Sequence, residues 1–218
     1  MSTSTATRRT SRPPAARRRR SSRARAIRRR LGFLLAVAFA GAVVAAAIAP
    51  WADKAVKEVS LPLRHEDIIR QQAADKGLDP ALIAGVIYTE SHFRDQTSAA
   101  GAKGLMQLMP ETADYIAEKS GGTAFVQGDL ATPQVNIAYG SWYLRYLMHK
   151  YQGREVLALA AYNGGEGKVD EWVASAAARG ETFRAADHIS FAETRHYVDR
   201  VLDARKRYRR TYARELGL

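Results

Sequence analysis

The stretch DPALIAGVIYTESHF, residues 79–93, decides the fold of this chain because it has the pattern of a buried helix with a defined start. Asp79 is suited to cap the N-terminus of a helix, and Pro80 suits the first helical position. Apolar residues then recur on one face of a 3.6-residue period, at Leu82, Ile83, Val86 and Ile87. The stretch therefore predicts a helix that faces a core.

Glu90 falls on this apolar face, four residues after Val86 and three after Ile87. Burial disfavours the charged form of a carboxylate and raises its pKa, as a general acid working near neutral pH requires. The alternative is a structural glutamate that is held by an Arg or Lys or turned to the protein edge, because such ion pairs also perturb pKa values. Both interpretations of Glu90 stay open at this point.

The remainder of the chain from residue 62 onward also follows a helical pattern. Gly77 is a candidate left-handed C-cap, and no alternating apolar run is long enough to require a sheet. Besides the Glu90 helix, we predict helices at residues 65–76, 110–119, 133–151, 155–162, 168–178 and 191–216. The predicted fold class is mainly α.

The net charge of +12 belongs to the N-terminus. Residues 1–30 contain twelve Arg and no acid, which leaves 22 basic and 22 acidic residues in the rest of the chain. The uncharged apolar run at residues 31–49 is about as long as a minimal membrane span. Positive-inside logic then predicts a disordered cytoplasmic tail (1–30), a transmembrane signal-anchor helix (31–49), a linker (50–61) and an extracytoplasmic domain at the cell membrane.

The alternative for the apolar run is a signal sequence cleaved near Ala45-Ala46-Ala47, which would give a secreted protein. The many Arg residues of the tail could bind nucleic acid, but the tail has no aromatic residue on which bases could stack, which argues against this function. The chain has no Cys, which excludes a disulfide framework and a thiolate nucleophile. The five His form no helical metal-ligand pair, so we predict neither a metal site nor a cofactor.

Four short patterns occur in order: Glu90-Ser91, GLMQLMP at residues 104–110, AYNGG at 161–165 and ETRHYV at 193–198. Together they resemble the catalytic domain of the soluble lytic transglycosylase family, which shares the goose-type lysozyme fold. The resemblance covers roughly residues 62–200. It implies a lysozyme-like catalytic domain at residues 62–218 that follows the transmembrane helix and ends in a basic helix.

The resemblance implies that Glu90 is the catalytic acid for the β-1,4 bond between N-acetylmuramic acid (MurNAc) and N-acetylglucosamine (GlcNAc) of peptidoglycan. Most glycosidases need a second carboxylate, and the local candidate is Asp95, in a polar loop. In the family the 2-acetamido carbonyl of the substrate takes that role, and Glu90 would then help to close a 1,6-anhydro ring. The implied enzyme is a lyase whose partner is the peptidoglycan glycan strand.

Other site residues follow from the same resemblance. Tyr162 would hydrogen-bond near Glu90 and the acetamido group, although a core tyrosine is the rival interpretation. Gln107 and Met109 would line the cleft. Asn163 would be either a helix cap or a substrate contact, and Ser91 would orient the acid or contact the substrate.

Glu193 and Tyr197 lie four residues apart on one predicted helix face. By resemblance, Glu193 would brace the active-site tyrosine from beneath. The rival for Glu193 is a surface pairing with Arg195 or Arg200. We predict that these two residues position the substrate-binding residues and do not contact the substrate themselves.

Two other functions remain open from sequence. A lysozyme-type muramidase, a true hydrolase, would need a water-positioning acid, for which Asp114 and Asp129 are candidates. A non-catalytic peptidoglycan-binding scaffold would keep the cleft without turnover. The presence of Glu90, Gln107 and Tyr162 together argues against a cleft that has lost its chemistry.

Overall fold

The computed structural model describes residues 28, 30, 31, 34, 38–49, 51–52, 59–122 and 124–218. The chain divides into two compact units, Met1–Val56 and Lys57–Leu218. In the first unit, residues 38–49 are helical. No helix among the described residues is long and apolar enough to cross a membrane. Nearly all of the predicted tail, and residues 32, 33 and 35–37 of the predicted membrane helix, lie outside the described residues.

The second unit is helical, as predicted, and within its described residues pairing between extended segments is limited to isolated β-bridges. We number its helices α1 to α8. Their bounds are α1 Glu66–Lys76, α2 Pro80–Ser91, α3 Pro110–Ser120, α4 Pro133–Lys150, α5 Glu155–Gly164, α6 Glu166–Ala178, α7 Ala185–His188 and α8 Ala192–Thr211. A 3₁₀ turn, Gln127–Ala131, precedes α4. The turn and α7 are absent from the sequence prediction, and α8 ends earlier than predicted.

The predicted ends of the first two helices are confirmed. Gly77 adopts a left-handed conformation with φ 60° after α1, a backbone geometry that glycine accepts without steric cost. The Asp79 carboxylate accepts a hydrogen bond of 3.0 Å from the Ala81 amide, and Pro80 is the first residue of α2. These caps fix where the Glu90 helix starts.

Helix α2 is the centre of the core. Every residue from 81 to 87 is buried, so the apolar surface surrounds the helix and is wider than the single stripe that the sequence predicted. Gly85 sits at the crossing with α8, where an added Cβ would lie 3.0 Å from the Arg205 amide nitrogen and 3.1 Å from the Val201 carbonyl oxygen. Glycine therefore lets the two helix backbones approach closely.

Arg205 of α8 joins the starts of two other helices. Its guanidinium donates to Asp79 at 2.6 Å and to both oxygens of Glu155 at 2.7 and 2.8 Å. Burial acts to raise the pKa of Asp79, but hydrogen bonds from Arg205, the Ala81 amide and Arg209 outweigh it and hold that pKa below its usual value. The carboxylates at the starts of α2 and α5 are thereby fixed to one basic side chain of α8.

Candidate active site

Glu90 occupies the last turn of α2, where the helix leaves the core. Burial raises the pKa of its carboxyl from 4.5 to about 7, and this effect outweighs the opposing influence of Tyr197 and the positive charge of Arg200. None of the described groups that act on Glu90 is a carboxylate. The side chain therefore keeps its proton at neutral pH far more readily than a hydrated glutamate does.

Tyr197 reaches the Glu90 carboxyl from α8. Its ring is buried, and its hydroxyl lies close enough to the carboxyl to lower the pKa of Glu90. Within the described chain, however, no atom meets full hydrogen-bond geometry with this hydroxyl. The buried Tyr197 hydroxyl therefore lies beside the Glu90 carboxyl and forms no full hydrogen bond with another described residue.

Ser91 connects the Glu90 helix to the loop at residues 104–109. Its buried hydroxyl lies 3.1 Å from the Ile87 carbonyl oxygen and 2.8 Å from the Leu105 carbonyl oxygen, both acceptors. With these contacts Ser91 is placed to orient the acid and its neighbouring loop. Its burial leaves little of it for direct contact with a substrate.

Asn136 of α4 holds the same loop from the other side, a role that the sequence analysis missed. Its side chain accepts from the Met106 amide at 2.8 Å and donates to the carbonyls of Lys103 and Leu130 at 3.0 Å each. The Met106 amide and the Lys103 and Leu130 carbonyls are backbone groups that need a hydrogen-bond partner when buried, and the Asn136 side chain supplies it. The only signal in the sequence is an amide among the apolar residues of α4.

Four of the predicted site residues line one recess, which we call the Tyr162 cleft. The cleft has a volume of about 180 Å³. The predicted residues along it are Gln107, Met109, Tyr162 and Asn163. Met109 exposes 38% of its surface at the start of α3, whereas Met106 is fully buried in the core. The structure thus places Met109 at the edge of the cleft and Met106 in the core.

Gln107 adopts an uncommon left-handed backbone conformation with φ 46°. Its side-chain amide donates to the carbonyls of Gly104 at 2.7 Å and Gln96 at 3.0 Å. The amide nitrogen therefore fixes the loop, while the side-chain oxygen has no hydrogen-bond donor within the described residues. That oxygen is available to accept from an N–H or O–H group in the cleft.

Tyr162 lies next to both Glu90 and the loop. Its hydroxyl donates to the Met106 carbonyl at 3.0 Å, and its ring centroid is 5.6 Å from that of Tyr143. Burial, and then the nearby charge of Glu90, raise the pKa of the Tyr162 hydroxyl. The phenol stays neutral and can donate or accept at the edge of the cleft.

Asn163 and Thr194 tie the end of α5 to the first turn of α8. The Thr194 hydroxyl donates to the exposed Asn163 side-chain oxygen at 2.7 Å. Gly164 makes this approach possible, since an added Cβ would lie 3.0 Å from the same hydroxyl.

The brace predicted for Glu193 has no counterpart in the structure. Glu193 is exposed, and its side chain makes no hydrogen bond or ion pair with any described residue. The rival pairing with Arg195 is absent too, because that guanidinium donates to the Ile189 carbonyl. The phase of α8 turns Thr194 and Tyr197 inward and Glu193 outward.

The acids considered as a second carboxylate are used elsewhere or exposed. Asp95 is exposed in the loop after α2. Asp114 accepts from Gln127 at 3.1 Å, and Asp129 accepts from the Val126 amide at 3.1 Å. Within the described ranges, no cluster of three or more His, Asp or Glu side chains is arranged to hold a metal ion.

The family model of the transglycosylase SLT domain matches residues 67–183, which include most of the helices described above. The chain is 32% identical over 155 residues to the soluble lytic murein transglycosylase of Escherichia coli K12, covering 69% of this chain and 24% of that protein. It is 31% identical over 170 residues to the membrane-bound lytic murein transglycosylase C of Edwardsiella ictaluri, a match that covers 67% of this chain and 47% of that protein.

Among solved structures, lytic transglycosylase Slt of Pseudomonas aeruginosa, an inactive mutant with Gln in place of a Glu, is similar with a TM-score of 0.65. Its sequence is 34% identical to this chain, and the match covers 72% of this chain and 26% of that one. The chain thus spans only about a quarter of the length of these soluble relatives. The match to more than half of its residues shows that this chain belongs to the transglycosylase SLT domain family.

Proposed function

We propose that this chain is a peptidoglycan lytic transglycosylase that cleaves the β-1,4 bond between MurNAc and GlcNAc and forms 1,6-anhydro-MurNAc. The observation that carries the proposal is the half-buried Glu90 carboxyl, whose pKa of about 7 keeps a proton available near neutral pH. The relatives named as lytic murein transglycosylases support the substrate and the reaction class.

In the first step, protonated Glu90 donates its proton to the bridging oxygen as the bond to the MurNAc anomeric carbon breaks. The acetamido carbonyl oxygen of the same MurNAc attacks that carbon and forms an oxazolinium ion, and the GlcNAc-ended strand leaves with a free hydroxyl. This internal nucleophile fits the absence of any carboxylate among the groups that act on Glu90.

In the second step, ionised Glu90 takes the proton of the MurNAc 6-hydroxyl. The 6-oxygen attacks the anomeric carbon, the bond to the acetamido oxygen breaks, and the 1,6-anhydro ring closes. Water is not consumed, and Glu90 ends the cycle protonated. One group therefore serves as acid and then as base, for which a pKa near neutrality is well suited.

The cleft residues have separate roles in this proposal. Gln107, Met109, Tyr162 and Asn163 contact the sugars along the Tyr162 cleft, with Tyr162 next to the acetamido group. Ser91 positions Glu90 through its hydrogen bonds, and Tyr197 provides a hydroxyl beside the carboxyl. We assign no role to Glu193, because its side chain is exposed and unpaired within the described residues.

The experiment is to incubate the full-length protein with purified sacculi and to measure the masses of the released fragments. Anhydro-ended fragments are expected, and Glu90→Gln, which cannot donate a carboxyl proton, should release none. Fragments with reducing ends would instead identify a muramidase, and the absence of release by the unaltered protein would identify a binding scaffold. Either of these results would overturn the proposal.

We also propose that residues 31–49 anchor the enzyme in the cell membrane, with the tail at 1–30 in the cytoplasm and the catalytic domain at 62–218 outside, joined by the linker at 50–61. The length and lack of charge of the apolar run support it, as does the similarity to a relative named as membrane-bound. Alkaline extraction of membranes should leave the protein in the pellet with its full mass. A shortened protein in the medium would show cleavage and secretion.

A further inference from the structure

The last turns of α8 and the turn that follows it carry basic side chains on the outside of the domain. We call Lys206, Arg210 and Arg214 the basic end. Lys206 and Arg210 are exposed and one turn apart on α8, and Arg214 is exposed in the following turn. The opposite face of the same turns is formed by Ala204 and Tyr208, which are buried. The basic end therefore lies at the surface and faces away from the core.

The basic end has no acidic partner among the described residues. None of its three side chains forms an ion pair or a hydrogen bond there, whereas the neighbouring Arg205 and Arg209 both pair with Asp79. Lys206 and Arg210 are like charges four residues apart, a spacing that slightly destabilises a helix. The helix dipole favours a cation in the last turn, but Arg209 already supplies one. The charges of the basic end are therefore available to an anionic partner.

The chain enters the catalytic domain beside the basic end. Arg207 donates to the Ser60 carbonyl at 3.3 Å. The hydroxyls of Tyr208 and Tyr212 donate to the carbonyls of the next two residues along the chain. These three donors come from the same stretch of sequence as the basic end, residues 206–214. The point at which the domain joins the preceding chain is thus fixed close to the three cations.

The chain between the proposed membrane anchor and this entry point is short. Ser60 follows Ala49, the last residue of the apolar run, by 11 residues, which span at most about 40 Å when fully extended. The proposed anchor therefore keeps the domain near the membrane surface. Because the chain is attached beside the basic end, this is the face that the anchor holds nearest to the lipid headgroups.

We propose that the basic end binds the anionic phospholipid headgroups of the membrane in which residues 31–49 are anchored. This inference rests on the proposed anchor and adds the face of the domain that meets the membrane. Guanidinium and ammonium groups form charge-assisted hydrogen bonds with lipid phosphates. Each cation near an anionic lipid surface strengthens the contact about fivefold, so three cations strengthen it about a hundredfold. A gain of this size suits a domain that a tether already holds at the membrane.

The basic end is separate from the candidate active site. Tyr197, which reaches Glu90 from the same helix, precedes Arg210 by 13 residues, or about 20 Å along α8. No residue of the basic end lines the Tyr162 cleft. Contact with lipid through the basic end therefore does not involve the residues proposed to bind and cleave the glycan.

The test uses the full-length protein inserted in lipid vesicles. Because the chain has no Cys, Glu215→Cys provides a single labelling site at an exposed position next to Arg214. Energy transfer from a fluorophore on this cysteine to an acceptor on a small fraction of the lipid headgroups reports how close the basic end lies to the membrane. Transfer should be higher in vesicles of phosphatidylcholine and phosphatidylglycerol than in vesicles of phosphatidylcholine alone. High salt should lower it by screening the charges.

The test variant carries three substitutions in the labelled protein, Lys206→Gln, Arg210→Gln and Arg214→Gln. It should lower the equilibrium constant for contact about a hundredfold and bring the transfer in anionic vesicles down to the value in neutral ones. The matched control removes three exposed cations from α3, α4 and α6, with Lys119→Gln, Arg145→Gln and Lys168→Gln. Its transfer should stay high. Thermal unfolding of both triple variants checks that they are folded.

Equal transfer in anionic and neutral vesicles, or the same loss in both triple variants, would overturn the inference and leave the proposed anchor intact. Abolition of the transfer by soluble poly(glycerol phosphate) would identify an anionic wall polymer as the partner and would overturn it as well. A protein that does not float with the vesicles at all would refute the proposed anchor, and the inference with it. The release of anhydro-ended fragments from sacculi tests the proposed cleavage separately.

Discussion

The Tyr162 hydroxyl donates a hydrogen bond of 3.0 Å to the backbone carbonyl of Met106, and this bond joins the end of α5 to the loop that lines the cleft. Ser91 and Asn136 hold the same loop from α2 and α4. The loop therefore owes its shape to three side chains from three helices. Its geometry is fixed before a substrate arrives, as a catalytic cleft requires.

Tyr162→Phe should lower both stability and activity. It leaves the Met106 carbonyl without its donor, which costs about 1–2 kcal/mol of unfolding free energy, and it removes the hydroxyl from the cleft. Urea denaturation and the rate of anhydro-product release measure the two effects. Tyr151→Phe is the matched control, since its hydroxyl donates to Asp170 at 3.0 Å and Tyr151 does not line the Tyr162 cleft. Equal losses of activity in both variants would contradict the role assigned to Tyr162.

The pH dependence of kcat/KM should show one descending limb centred near pH 7. The protonated form of Glu90 starts the reaction, and its pKa in the free protein is about 7. Tyr197→Phe removes a group that lowers this pKa, so its limb should lie at higher pH than that of the unaltered protein. Initial rates of product release between pH 5 and 9, roughly the range over which Glu90 titrates, measure both profiles. A limb centred near 4.5, the ordinary value, would show that Glu90 is hydrated.

Glu90→Gln should be more stable than the unaltered protein at pH 8 and equally stable at pH 4. Below its ordinary pKa of 4.5 the carboxyl is mostly protonated in both the folded and the unfolded chain, so its titration does not change the free energy of unfolding. As the pH rises from 4.5 to about 7, this carboxyl ionises in the unfolded chain before it does so in the folded chain. The free energy of unfolding therefore falls by up to about 3 kcal/mol, a loss that the glutamine variant does not have. Denaturant midpoints at the two pH values measure this difference.

The control for this experiment is Glu193→Gln, whose side chain is exposed. Glutamine there should not raise the stability at pH 8, because a negative charge in the first turn of α8 favours the helix. If Glu90→Gln behaves in the same way, burial of Glu90 does not carry the energetic cost that the proposed mechanism requires.

Gly85→Ala should destabilise the core. The added methyl group would lie 3.0 Å from the Arg205 amide nitrogen, which belongs to a helix backbone and cannot rotate away. Overpacking of this kind costs about 1–3 kcal/mol. Gly167→Ala is the control, because Gly167 is in α6 with no atom within 4 Å of the added carbon, and there alanine should be neutral or stabilising. Thermal unfolding of the two variants checks the contrast.

Local patterns predicted much of the fold and part of the candidate site. The caps at Gly77 and Asp79 follow from interactions within a few residues, and the helical period alone places Glu90 on the apolar face of its helix. Asn136 was missed because its partner Met106 lies 30 residues away and only the packing of α4 against the loop brings them together.

Dependence on distant packing also explains why the brace predicted for Glu193 has no counterpart in α8. The pattern ETRHYV names Glu193, but which of its residues turns inward depends on how α8 lies against its neighbours. The contact with α5 selects Thr194, which pairs with Asn163. A helical period defines faces relative to one another and leaves the orientation of the whole helix undetermined.

The hydroxyls of Tyr208 and Tyr212 donate to the carbonyls of Pro62 and Leu61, so the backbone at the start of the domain is held by its last helix. That helix is also the one that presents Tyr197 to Glu90. Any displacement of the chain at residues 61 and 62 consequently acts first on the helix that presents Tyr197 to the acid.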